Sequence, residues 1–203
     1  SDAHTLHAIA STTVSPCFFC HARAASHGEV RVENCHPWSF GPFTFMHNGG
    51  IANFDEIRGT MLSLIDPSLK GLISGSTDSE HLFFLALTYL ADDMCLRLRA
   101  VGHTRGPSPA DHSNDRDSRG KHPGEGAASR RPIPAAQLLA THNPTAGELG
   151  NALCKAIAFV VAFDEHRVTH TGAPRSPSSL NLALSDGRSM ACTRFRNCPV
   201  DEP

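Results

Sequence analysis

The spacing of apolar residues changes period several times along the chain, and each change marks an element. Residues 1–16 carry no readable periodicity. The short apolar, aromatic run from Cys17 to Ala22 predicts a buried strand, followed by a polar loop from Arg23 to Asn34. Phe43 to Met46 predicts a second strand, set between the turn formers Gly41-Pro42 and Asn48-Gly49-Gly50. Asn53 offers an N-cap, with Glu56 as the return half of a capping-box-like pair. The helix that follows turns Phe54, Ile57, Met61, Leu64 and Ile65 inward, and Pro67 marks its stop. A second Thr-x-x-Glu start at Thr77-Asp78-Ser79-Glu80 precedes an apolar stretch from Leu82 to Leu98, which predicts the longest buried helix.

From Gly102 to Pro144 the composition shifts to Gly, Pro, Ser, His and Arg. A segment of this kind buries too little apolar surface to offset its chain entropy, so a disordered insertion is expected over 102–144. Order is expected to resume near Thr145, with Leu149, Leu153, Ile157 and Val160-Val161 on a buried helix. Leu180 to Ser185 and Arg188 to Phe195 flank Asp186-Gly187, a two-residue hairpin signal. There is no internal repeat. One domain is therefore expected in two parts, 1–101 and 145–203, interrupted by the insertion.

Composition narrows the class. Hydrophobic content of 40% is ordinary, whereas 6% aromatic and 14 prolines fit a core with an unpacked segment. A formal charge of −2 supplies no field to attract nucleic acid or an anionic membrane, so the expected partner is a small polar molecule. Seven cysteines, odd in number and without a repeating frame, favour reduced thiols and a cytoplasmic setting. Nothing at the start reads as a signal peptide, and no apolar run approaches the roughly 20 residues that span a bilayer. No methionine precedes Ser1, which suggests a processed, trimmed or partial chain.

The chemistry concentrates in four short motifs: His21-Ala22-Arg23-Ala24-Ala25-Ser26-His27-Gly28, Glu33-Asn34-Cys35-His36-Pro37, Met46-His47-Asn48-Gly49-Gly50-Ile51 and Gly75-Ser76-Thr77-Asp78-Ser79-Glu80. Arg23 presents a planar fork of donors suited to a carboxylate, or to a surface salt bridge. Asn48 and Gly49, just after a strand, either converge an amide and a free N–H on a developing oxyanion or form an ordinary turn. Asp78, in the first turn of its helix, can meet an ammonium, cap the helix, or both. Cys17-x-x-Cys20 has no second ligand pair and reads as core cysteine. Cys35 beside His36 is a poor nucleophile pair because adjacent residues seldom face each other. The 13 histidines are scattered, so no metal site is expected.

In order and spacing the four motifs resemble those of the class II glutamine amidotransferases, which are N-terminal-nucleophile hydrolases, and within them the fungal branch that degrades glutathione. The resemblance is dense over 17–90 and fainter over 180–195. It implies an α+β fold, the four-layer αββα sandwich of that superfamily, incomplete here at its N-terminus. It assigns Arg23 to the α-carboxylate of glutamine, Asp78 to its α-ammonium, Asn48 and Gly49 to the oxyanion hole, and Ser26 and His27 to contacts beside the substrate. The reaction implied is cleavage of a γ-glutamyl amide, in glutamine or glutathione, through a thioester on an N-terminal cysteine, with no cofactor. For the glutathione branch it also implies a peptidase-like partner subunit. That cysteine is not at residue 1, and 20 residues before His21 are too few for the usual first strand and active-site loop. The chain as given is therefore expected to be inactive alone. Alternatives are a non-catalytic γ-glutamyl amino-acid binding module, a degenerate paralogue, or a partial gene product without a stable fold.

Overall fold

The computed structural model describes residues 2–15, 18–21, 31–104 and 133–197. The elements run α1 (Asp2–Thr12), a 3-10 turn (Val32–Asn34), β1 (Trp38–Phe40), β2 (Phe43–Gly50), α2 (Phe54–Leu64), α3 (Pro67–Lys70), α4 (Asp78–Thr104), α5 (Ala135–Thr141), α6 (Ala146–Thr171), β3 (Ser179–Ser185) and β4 (Met190–Thr193). The strands form an antiparallel sheet in the order β1-β2-β3-β4. Helices and an antiparallel sheet thus form one α+β core.

Strand alternation sorts the sheet into two faces. Phe43, Phe45 and His47 of β2 and Leu180, Leu182 and Leu184 of β3 are buried on the face that meets α4 and α6. Phe45 stacks on Phe83 of α4 with ring centroids 5.2 Å apart. The other face carries the row Met46, Ala183 and Cys192 beside the row Thr44, Ser185 and Met190, with Met190 and Cys192 exposed.

Helix α6 starts on a complete capping box, Thr145 accepting from Glu148 N–H while Glu148 accepts from Thr145 N–H at 2.7 Å. It packs on α4, β3 and β4. In length and composition this helix could cross a membrane, contrary to the expectation that no run is long enough. Its place against the sheet, with Lys155 paired to Asp93 of α4 and Asp164 paired to Arg167, is that of a core helix.

Several expectations need correction. Phe18–His21 form no strand, and Phe18 and Cys20 are exposed, so Cys20 is not a core cysteine. Helix α1, without an apolar face among its described side chains, had no periodic signal to betray it. Strand β1 is only three residues long, too short for alternation to register. Helix α2 does begin after Asn53, but that residue is left-handed (φ 54°) and makes no side-chain cap. Leu64 points outward. Pro67 ends one helix by starting another, α3, capped by Asp66. In the expected 102–144 insertion, 105–132 lie outside the described residues, whereas α5 packs Ala135, Leu138 and Leu139 into the core against α3 and α4. Three apolar residues within one short helix were hidden by the Pro- and Gly-rich stretch before them. The β3–β4 loop has four residues, Asp186–Ser189, because Asp186 accepts from the N–H groups of Arg188 and Ser189.

Phe45→Ala should cost about 3–5 kcal/mol in urea unfolding, the usual range for an aromatic removed from a packed core. Met46→Ala, on the opposite face, should cost less than half as much, and equal losses would contradict the assignment of faces.

Candidate functional site

The ends of β2, β3 and α4 meet at one cleft of about 1130 Å³, lined by Asn48, Gly49, Asp78, Ser79, Ser178 and Ser179 among others. Its construction starts in the loop before α4. The buried Glu80 carboxylate accepts from Ser74 N–H (2.9 Å) and Gly75 N–H (2.7 Å) instead of closing a capping box on Thr77. Asn34, also buried, accepts from Ser76 N–H at 3.3 Å, which gives the Asn34-Cys35-His36-Pro37 motif a structural task. A Cβ on Gly75 would lie 2.6 Å from Asn34 Oδ1 and 2.8 Å from Glu80 Oε2, so only glycine fits between them. Thr77 then caps α4 by accepting from Glu80 N–H at 3.3 Å.

This loop aims Asp78 across the cleft at β2. Its Oδ2 accepts from Ile51 N–H at 2.7 Å, and its Oδ1 accepts from Ser79 N–H at 2.7 Å. Asp78 therefore joins the start of α4 to the end of β2 while lining the cleft. Asn48 and Gly49 are not in a turn after the strand. They are the sixth and seventh residues of β2, paired with Asn181 and Leu180. Gly49 has φ 140°, and a Cβ there would sit 1.9 Å from the Ser179 carbonyl oxygen, so the two backbones touch with no room for a side chain. Asn48 offers an exposed side chain to the cleft, and its carbonyl accepts from Asn181 Nδ2 at 2.9 Å. Arg23, Ser26 and His27 lie outside the described residues.

Sequence reasoning assigned no role to His47, Ser79, Ser178 and Ser179, all of which line the cleft. His47 and Ser79 stand inside the motifs. Their buried partnership, Nδ1 to Oγ at 2.9 Å across 32 residues, has no local signal. Ser178 Oγ accepts from Ala52 N–H at 3.0 Å, a contact spanning 126 residues. On the far side of Asp78, buried His81 donates Nδ1–H to the Thr77 carbonyl (2.8 Å) and accepts from Arg58 Nε (3.3 Å). Burial lowers the His81 pKa below its ordinary value of 6.5, the Thr77 carbonyl opposing and the Arg58 charge adding to that shift. Among the described residues no group of three or more His, Cys, Asp or Glu side chains could hold a metal ion.

Residues 8–105 match the family profile of the class-II glutamine amidotransferases. An 85-residue stretch is 42% identical to the probable glutamine amidotransferase DUG3 of Saccharomyces cerevisiae, covering 42% of this chain and 24% of that one. Another, of 88 residues, is 35% identical to a glutamine–fructose-6-phosphate aminotransferase (isomerizing) of Lactiplantibacillus plantarum, covering 42% of this chain and 14% of that one. A solved glutamine aminotransferase class-II domain protein from Silicibacter pomeroyi superposes with a TM-score of 0.45 and 22% identity, over 84% of this chain and 50% of that one. Residues 8–105, just under half of the chain, thus carry the sequence pattern of the class-II glutamine amidotransferases. The matched stretch of the chain spans about a quarter of the yeast protein's length.

Gly49→Ala should abolish folding or lower stability severely, whereas Gly59→Ala, in α2 with nothing within 4 Å, should stabilise by about 0.5–1 kcal/mol. Thermal unfolding of both variants checks the pair. Because the folded pKa of His81 is lowered, the unfolded chain binds the extra proton first, and stability should fall as pH drops below 6.5. Urea unfolding at about pH 5 and about pH 7.5 should show this loss in the wild type and a smaller one in His81→Gln.

Proposed function

We propose that this cleft binds the γ-glutamyl group of glutamine or glutathione and that the protein to which it belongs cleaves the γ-glutamyl amide bond. The observation that carries the reading is the convergence of Asp78 with Asn48 and Gly49 on one cleft within a stretch that matches the amidotransferase family profile. Asp78 receives the α-ammonium and Arg23 the α-carboxylate, with Ser26 and His27 beside the bound ligand. The amide carbonyl then lies at the end of β2. Attack by the thiolate of an N-terminal cysteine forms a C–S bond and a tetrahedral oxyanion, held by the Asn48 side chain and the Gly49 N–H. Collapse breaks the C–N bond, the proton-carrying amine leaves, and water hydrolyses the thioester. No cofactor enters this scheme. A peptidase-like partner subunit belongs to the glutathione version of it.

The four-layer αββα sandwich completes the reading at the level of the fold. The sheet has helices on one face, and its Met46, Ala183 and Cys192 face is where a second sheet would pack.

Calorimetry of the 203-residue chain should detect binding of glutamine or glutathione, and Asp78→Ala should weaken it at least tenfold. A coupled ammonia and glutamate assay on the same chain should show no turnover. Turnover by this chain would overturn the expectation of inactivity. No binding of either ligand would overturn the γ-glutamyl assignment itself.

A further inference from the structure

A γ-glutamyl group held by Asp78 and Asn48 leaves one cation of the cleft without a task. Arg196, just beyond β4, lines the cleft with an exposed side chain. Its backbone carries the sheet one step further: Arg196 pairs with Ser179, Leu180 N–H donates to the Phe195 carbonyl (2.8 Å), and Asn197 N–H donates to the Ser178 carbonyl (3.2 Å). Asn197 tightens this step, its Oδ1 accepting from Ser178 N–H at 2.5 Å. Among the described residues no carboxylate pairs with Arg196 and no side-chain hydrogen bond holds its guanidinium. Arg58, across the cleft, differs: it donates Nε–H to His81 (3.3 Å) and stands on α2 with Asp55 and Glu56.

Directly opposed residues of antiparallel strands point to the same face of a sheet. Gly50 pairs with Ser179, and Ser179 with Arg196, so the three form one row across the sheet. Asn48 and Asn181 belong to the next row on that face. A Cβ on Gly50 would lie 3.8 Å from Asp78 Oδ2, so Asp78 stands at the β2 end of the row and Arg196 at the other. Two strand spacings, about 10 Å, separate the Gly50 and Arg196 backbones. Glycine and the small Ser179 side chain leave a ligand room to lie across the row.

We propose that Arg196 forms a second carboxylate subsite, which selects γ-glutamyl peptides with a free C-terminal carboxylate over glutamine. This assignment rests on the γ-glutamyl reading for the placement of the ligand's other end. With the α-ammonium on Asp78 and the amide carbonyl beside Asn48, whatever follows the amide nitrogen extends along the row toward Arg196. Two residues beyond the amide span about 7 Å when extended, and the long arginine stem closes the remaining distance. The planar guanidinium then takes the carboxylate through two parallel N–H···O bonds. The cleft volume of about 1130 Å³ exceeds what one amino acid fills and suits a peptide of this length. Glutamine ends at its amide and has no group to offer Arg196.

Calorimetry of the 203-residue chain, with a reductant present, compares glutathione with glutathione amidated at its C-terminus. The wild type should bind the free acid about five- to tenfold more tightly than the amide, the range for a charge-assisted pair at a partly exposed site. In Arg196→Gln that ratio should fall to about one, and Arg196→Lys, which keeps the charge but not the fork, should restore part of it. Added salt should shrink the wild-type ratio, as it does for any exposed charge pair. A wild-type ratio near one, or a ratio that survives Arg196→Gln, would overturn the subsite while glutamine still binds. An Arg196→Gln chain that loses glutamine in the same proportion as glutathione would also overturn it, since the side chain would then serve the γ-glutamyl end or the fold. Failure of the wild type to bind glutamine or either peptide would instead sink the γ-glutamyl reading, and the subsite with it.

Discussion

The pairing of β2 with β3 is the constraint on which everything else rests. It runs in unbroken register from Thr44 with Ser185 to Gly50 with Ser179, and so joins parts of the chain more than 125 residues apart. Closing so long a loop carries an entropy cost that grows only slowly with length, and the apolar face created by the pairing offsets it. Phe43, Phe45, Leu180, Leu182 and Leu184 become one surface, and α4 and α6 pack on it. Without that register Ser178 and Ser179 would not stand opposite Asp78, and the cleft would lose a wall.

The site is built mostly from backbone held by buried polar side chains. Glu80 and Asn34 fix the loop before α4, Asp78 fixes the end of β2, Ser178 fixes Ala52, and His47 reaches the Ser179 carbonyl. Each is a polar group that would be costly to bury alone, and each is satisfied by a partner from another element. The polar walls of the cleft are thereby held by partners within the protein itself.

Where the hydrophobic period was strong, the sequence revealed the structure. The start of α2 after Asn53, the long helix beginning at Asp78, the helix that resumes near Thr145 and the strand from Leu180 to Ser185 all follow from local patterning. Where the determining interaction was distant, it did not. Asn48-Gly49-Gly50 has the composition of a turn and is a strand because β3 pairs with it. Leu138 and Leu139 sit beside a Pro- and Gly-rich stretch and are core because α3 and α4 receive them. Of the cleft residues, Asp78 and Asn48 were singled out by type and position, and both line the cleft. His47 and Ser79 were visible only as motif members, since their roles come from geometry across the fold.

The close approach of Gly49 to the Ser179 carbonyl sets a limit on how such a cleft can diversify. That wall is backbone against backbone, so no substitution at residue 49 can reshape it without parting the strands. Among the described residues, variation in what the cleft accepts can come from the side chains around that contact, such as Asn48, Glu56 and Arg58. The Gly49–Ser179 contact is thus fixed architecture and the side chains around it are adjustable, so two proteins that share this sheet can differ in ligand while superposing closely at the strands.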